Sequence, residues 1–148
     1  MLAAMRVHAV RLTPGTDLEQ ELQRLTRELG LKAGAILTCV GGLTRARLRM
    51  PGAIGAPEVF KTYEGPMEIV SLTGTLCPDG LHVHISLAQQ DGACIGGHLA
   101  PGSIVNTTAE LVIGELTDVA FTRPVDPATG YDELRVEVRG ERPEPLLD

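Results

Sequence analysis

The residues best suited to chemistry lie in two short runs, Leu81-His82-Val83-His84-Ile85-Ser86-Leu87-Ala88 and Gly96-Gly97-His98-Leu99. Side chains on a strand alternate between its faces, so Val83, Ile85 and Leu87 take one side and His82, His84 and Ser86 the other. Two imidazoles at i and i+2 stand about 7 Å apart along a strand, a spacing from which both rings can converge on one ion. A third ligand has to come from a neighbouring strand, and His98 is the candidate. If Gln90-Asp91-Gly92 forms a three-residue turn with Gly92 in the left-handed region, Gln89 pairs with Ala93 and His84 falls opposite His98. A two-residue Asp91-Gly92 turn would instead set His98 opposite Ile85 and toward the core, unless Gly96-Gly97 bulged to restore the phase. Three neutral imidazoles suit Zn²⁺ and leave one coordination position for water or substrate. The competing reading is that these histidines cover a subunit interface. His8, the fourth histidine, is given no role.

Around this constellation the chain must supply a scaffold, and 148 residues fit one domain with one core. Hydrophobic residues make up 43% and charged residues 22%, which argues against disorder and against a membrane class. Aromatics are only 3% with no Trp, so few ring faces are offered for stacking bases. A formal net charge of -6 repels phosphate unless basic residues gather on one surface. Arg45, Arg47 and Arg49, on one face of a strand, are the best such stripe and the candidate nucleic-acid contacts, although a solvated strand edge is the commoner explanation for such residues. The nearest match to an AT-hook core is Arg139-Gly140-Glu141-Arg142-Pro143, where Glu141 places a carboxylate that the minor groove repels. Cys39, Cys77 and Cys94 form no C-x-x-C pair, so a disulfide or thiolate-zinc framework is not expected and a reducing, cytoplasmic setting is. Cys94 shares strand parity with His98 if no bulge intervenes and is read as a small buried hydrophobe.

Local patterning predicts strands over 5–12, 35–40, 43–50, 67–76, 81–88, 93–99 and 131–138, and 104–116 is long enough for a strand or a short helix, with its β-branched content favouring strand. Gly41-Gly42 is expected to break the second from the third, and Pro51 to Pro57 to form a loop. One helix is predicted after Pro14-Gly15, with Thr16 and Glu19 as a capping box, Leu18, Leu22, Leu25 and Leu29 on one face, and Gly30 as the stop. The expected class is α+β: an antiparallel or mixed sheet meander flanked by one or two helices. A domain over 1–140 is followed by a frayed tail over 141–148.

Gly65-Pro66-Met67-Glu68-Ile69-Val70-Ser71-Leu72-Thr73-Gly74, Asp79-Gly80-Leu81-His82-Val83-His84-Ile85-Ser86 and Gly96-Gly97-His98-Leu99 together resemble the plant-and-prokaryote-conserved (PPC) domain. The likeness runs from Arg6 to Gly15 through Val40-Gly41-Gly42-Leu43 to Thr129-Gly130-Tyr131-Asp132-Glu133-Leu134. It implies an antiparallel sheet flanked by helices and a homotrimer, and in plants the company of AT-hook segments in nuclear DNA-binding proteins. Prokaryotic members stand alone, many with DNA binding as the suggested role. The fold is also similar to that of acetolactate decarboxylase, a zinc enzyme holding its metal with an H-x-H pair and a later His. That likeness maps onto His82, His84 and His98 as ligands without carrying the reaction across. Glu68, in the family-like stretch, is the candidate general base or partner of a ligating His. The expected function is a zinc-dependent lyase or hydrolase, or a binder of a small molecule, with a trimeric DNA-binding regulator and a structural trimeric scaffold as the alternatives.

Overall fold

The computed structural model describes residues 5–139, and the predicted tail over 141–148 lies outside them. Among the described residues, eight strands and one helix follow in the order β1 (Met5–Leu12), α1 (Leu18–Glu28), β2 (Gly34–Met50), β3 (Val59–Cys77), β4 (Gly80–Ala88), β5 (Cys94–Leu99), β6 (Ile104–Leu116), β7 (Val119–Thr122) and β8 (Arg135–Val138). Six form one sheet in the order β1-β6-β2-β3-β4-β5, and β7 with β8 forms a second. Every pairing is antiparallel. The expected meander is present in β3-β4-β5, but β2 also pairs with β5 at Leu48 and Arg49, so β2 to β5 close into a ring.

The Gly41-Gly42 break does not occur. A Cβ on Gly41 would lie 2.0 Å from the Thr108 carbonyl oxygen, and one on Gly42 2.8 Å from the Asn106 and Met67 carbonyl oxygens. These glycines let β2 pass unbroken between β6 and β3 at close approach. β3 begins eight residues earlier than predicted, because Gly65-Pro66 reads as a stop yet sits in a bulge. Met67 pairs with Leu43 and Glu64 with Arg45, leaving two residues of β3 opposite Thr44 alone. There the missing N–H of proline costs the ladder nothing. The last predicted strand shrinks to Arg135–Val138, since Asp126 and Pro124 bond back to Tyr131 and Glu133 in a turn.

The predicted capping box is replaced by a different cap. Asp17 Oδ1 accepts the Gln20 N–H at 3.2 Å, and its Oδ2 accepts the Gly102 N–H at 2.7 Å, tying α1 to the turn ahead of β6. Thr16 instead joins its backbone to Val105. Leu18, Leu22 and Leu25 are buried as the spacing requires, packed on a core that includes Leu43, Leu48, Leu72, Leu87 and Ile113. Ala33, Cys77 and Phe121 form a second, smaller cluster under β7. All three cysteines are free; Cys94, expected to be buried, is exposed, while burial pushes the Cys39 thiol up to about 11, so it stays protonated.

Candidate metal centre

The β4–β5 hairpin adopts the three-residue turn: the Gln89 N–H donates to the Ala93 carbonyl at 2.8 Å, and Gly92 takes φ 84°. The ladder then runs without a shift and places His84 directly opposite His98. Gly96-Gly97 is therefore no bulge. A Cβ on Gly96 would meet the Ile85 carbonyl oxygen at 2.7 Å and one on Gly97 the Arg49 carbonyl oxygen at 3.0 Å, so both glycines let β5 approach its two neighbours.

The three imidazoles converge. His82 Nε2 lies 3.2 Å from His84 Nε2, and the ring centroids of the trio are 4.9, 5.4 and 5.6 Å apart. One ligand nitrogen from each lies within 4.8 Å of the others. Two nitrogens bound tetrahedrally at about 2.0–2.1 Å from zinc stand about 3.3 Å apart, so the His82–His84 spacing already suits a shared ion. His82 and His98 are also held toward the neutral form. Burial, then the Arg49 guanidinium, pushes His98 down to about 4, with His82 and His84 adding and Glu58 opposing. His82 is lowered by burial first, then by His84 and Arg123, with Glu133 opposing. A neutral imidazole keeps the lone pair that a metal requires.

The trio opens into a cleft of about 800 Å³ walled by the 51–58 loop, by Arg49 and by the segment around β7 and β8. Arg49 Nη1 donates to Glu58 at 2.6 Å while its Nη2 lies 3.4 Å from His98 Nδ1. Arg123, Tyr131 and Glu133 form the opposite wall.

The profile of the Plants and Prokaryotes Conserved (PCC) domain, the PPC domain, matches residues 2–117. The chain belongs to this family. A Synechococcus protein named bifunctional protein GlmU is 44% identical over 142 residues, 96% of this chain and 22% of its own length, so this chain spans about a fifth of that relative. An Arabidopsis AT-hook motif nuclear-localized protein is 30% identical over 115 residues, covering 72% of this chain and 33% of its own. Among solved structures, a hypothetical protein from Salmonella enterica matches with TM-score 0.85 at 37% identity, over 94% of this chain and 98% of its own. The metal-containing protein AF0104 from Archaeoglobus fulgidus matches with TM-score 0.76 at 25% identity, over 91% of this chain and 99% of its own.

The stretch matched to the PPC domain holds all three histidines and ends before Arg123, Tyr131 and Glu133. Those residues carry no local motif beyond the Thr129 to Leu134 run, and only the packing of β7 beside β3 brings them to the site. Glu68 sits elsewhere: it is exposed on β3 opposite Gly42 and Ala88, and about 16 Å of strand separates it from Thr73, the neighbour of His84. The carboxylates in the cleft are Glu58, Asp79, Asp132 and Glu133. The three arginines do not form a free basic stripe. Arg45 pairs with Glu64 at 3.2 Å, the Arg47 guanidinium lies 4.1 Å from the Phe60 ring centroid, and Arg49 belongs to the cleft. Among the described residues no helix is long and apolar enough to cross a membrane.

Proposed function

We propose that this PPC-domain protein holds one divalent metal ion, zinc in first place, on His82, His84 and His98, and presents the ion's open position to a small molecule in the adjoining cleft. The observation that carries this is the convergence of three imidazoles from two strands at ligand spacing, facing an 800 Å³ cleft. The Archaeoglobus relative, described as metal-containing, supports it. A metal with three protein ligands would polarise a carbonyl or lower the pKa of bound water toward about 7, the chemistry of a lyase or hydrolase. Glu133 and Glu58 are the carboxylates placed to move a proton within one chain. Glu68 would act there only from a neighbouring copy.

The test is metal content by plasma mass spectrometry on protein purified without a histidine tag, beside His82→Ala and His98→Ala. About one zinc per chain, lost in both variants, is expected. No metal after zinc is offered at neutral pH would overturn the reading and leave the histidines structural.

We further infer a homotrimer, as the resemblance implies. Support comes from an exposed apolar face: Met5 and Leu37 meet over Gly114, whose added Cβ would lie 2.9 Å and 3.2 Å from them, with Val7 and Val40 exposed nearby.

DNA binding is the second reading, favoured by the AT-hook relative. It is weakened here by the partners that Arg45, Arg47 and Arg49 already have. It requires binding to an AT-rich duplex that falls steeply with salt and with loss of these arginines; absent or salt-independent binding would reject it.

A further inference from the structure

We propose that the ligand of the cleft is a small oxyanion, a carboxylate or a phosphate, received by the guanidinium of Arg123 beside the histidine trio, and that Arg123 determines this specificity. The proposal rests on the metal reading above and names the ligand class for the same site.

Cross-strand pairing puts the histidines in register with Arg49 and with Thr75, the residue that Arg123 contacts. Arg49 pairs with His98, His98 with His84 and His84 with Thr73, which makes one row across four strands. One dyad along β3 and β4, Thr75 pairs with His82, and paired residues share a face. Arg123 Nη2 donates to Thr75 Oγ1 at 2.7 Å, so this contact seats the second guanidinium next to His82. The trio is thus flanked by a cation from β2 on one side and a cation following β7 on the other.

The two cations are not equivalent. Arg49 already has a carboxylate, Glu58, at 2.6 Å. Arg123 forms no ion pair among the described residues. Its Nη1 donates to the Asp132 carbonyl at 3.4 Å, and its buried Nε has no partner. A guanidinium carries five N–H donors and keeps its charge at any physiological pH, so Arg123 offers a permanent, half-buried cation without a counter-ion. Its backbone is fixed too, since the Arg123 N–H donates to Asp79 Oδ2 at 3.1 Å.

The carboxylates of the cleft do not cancel this charge at short range. Glu58 is committed to Arg49, Asp79 to the Arg123 backbone, Glu133 accepts the Thr129 hydroxyl at 3.1 Å, and Asp132 meets the guanidinium through its backbone carbonyl. Four carboxylates against two arginines and a divalent ion leave the cleft close to neutral, which favours a ligand of low charge over a polyanion. Arg123 follows the stretch matched to the family profile, so a segment outside that stretch selects the ligand for a site built inside it.

The test uses cobalt-loaded full-length protein, whose visible spectrum reports on the metal's coordination. Malonate, inorganic phosphate and the neutral malonamide are titrated separately, with cobalt stoichiometry measured in each variant. Saturable spectral change with malonate or phosphate, and none with malonamide, is expected, and the responding anion identifies the source of the oxyanion. Arg123→Gln should weaken that anion by about ten- to a hundred-fold while keeping one cobalt per chain, with Arg123→Lys recovering part of the loss. If Arg123→Gln does not fold, Thr75→Val, which removes the contact seating the guanidinium, should weaken the anion in the same direction. Cobalt uptake with no anion response, or equal anion affinity in the parent and Arg123→Gln, would overturn this inference and leave the metal reading standing. Failure of the parent to take up cobalt would overturn both.

Discussion

His84 separates a metal role from a structural one because it is exposed and its neighbours in the core, Val83 and Ile85, carry the packing. His84→Ala should abolish metal uptake yet change the stability of the metal-free protein by about 0.5 kcal/mol or less, as surface substitutions do. Mass spectrometry and melting in a chelator check the two halves. If His84→Ala unfolds the metal-free protein, the trio is structural. Glu19 makes a second prediction from charge. It is only 9% exposed; its Oε1 accepts from Gln23 at 2.6 Å, and its Oε2 has no partner among the described residues. Burial raises its pKa above the ordinary 4.5, with Gln23 opposing and Asp17 adding. The folded state therefore binds this proton more tightly than the unfolded chain. Its favourable contribution is full below the unfolded pKa and lost as pH rises through the folded one. Glu19→Gln should raise the melting temperature at pH 7, and the gain should shrink toward pH 4. A gain independent of pH would exclude charge burial as its cause.

At the scale of elements, the site depends on the register of one hairpin. Deleting Gln90 leaves Asp91-Gly92, a pair suited to a two-residue turn, with Gln89 still opposite Ala93 and His84 still opposite His98. That variant should retain metal. Deleting Ala93 slides β5 by one residue, sets Leu99 opposite His84 and turns His98 toward the core. That variant should lose metal and a large part of its stability. Metal content and chemical denaturation of the two deletions, compared side by side, test the register; equal metal content in both would contradict it. The hairpin was legible in the sequence because Asp91-Gly92 marks a turn and Val83, Ile85 and Leu87 mark the buried face. β2 and β3 were not. Glycine and Gly-Pro signal a break in any local reading, whereas here both are answers to close strand approach and to a bulge.

For the whole molecule, the exposed apolar face around Met5, Val7, Leu37 and Val40 has to be reconciled with a chain of net charge -6. Leu37 is 48% exposed, and a charge there would oppose burial between copies. Leu37→Glu should convert a trimer into monomers without lowering the metal content per chain, as read by light scattering after size-exclusion chromatography. A parent that elutes as a monomer would remove the trimer from the proposed function. The net charge also bears on nucleic acid: with Arg45, Arg47 and Arg49 already engaged, no free cationic surface is left by that stripe to offset the repulsion of phosphate.

Single-chain patterning alone determined that His82 and His84 share the polar face of a strand, that α1 buries Leu18, Leu22 and Leu25, and that a three-residue turn would deliver His98 to the same face. Each of these follows from local periodicity and turn stereochemistry, which act over a few residues. Tertiary structure decided what surrounds the trio. Arg49 reaches it because β2 closes onto β5, Arg123 because Phe121 anchors β7 in a second small core, and Glu68 is left on a distant stretch of β3. Contacts between residues tens of positions apart are set by how sheets close and pack, and no local spacing encodes them.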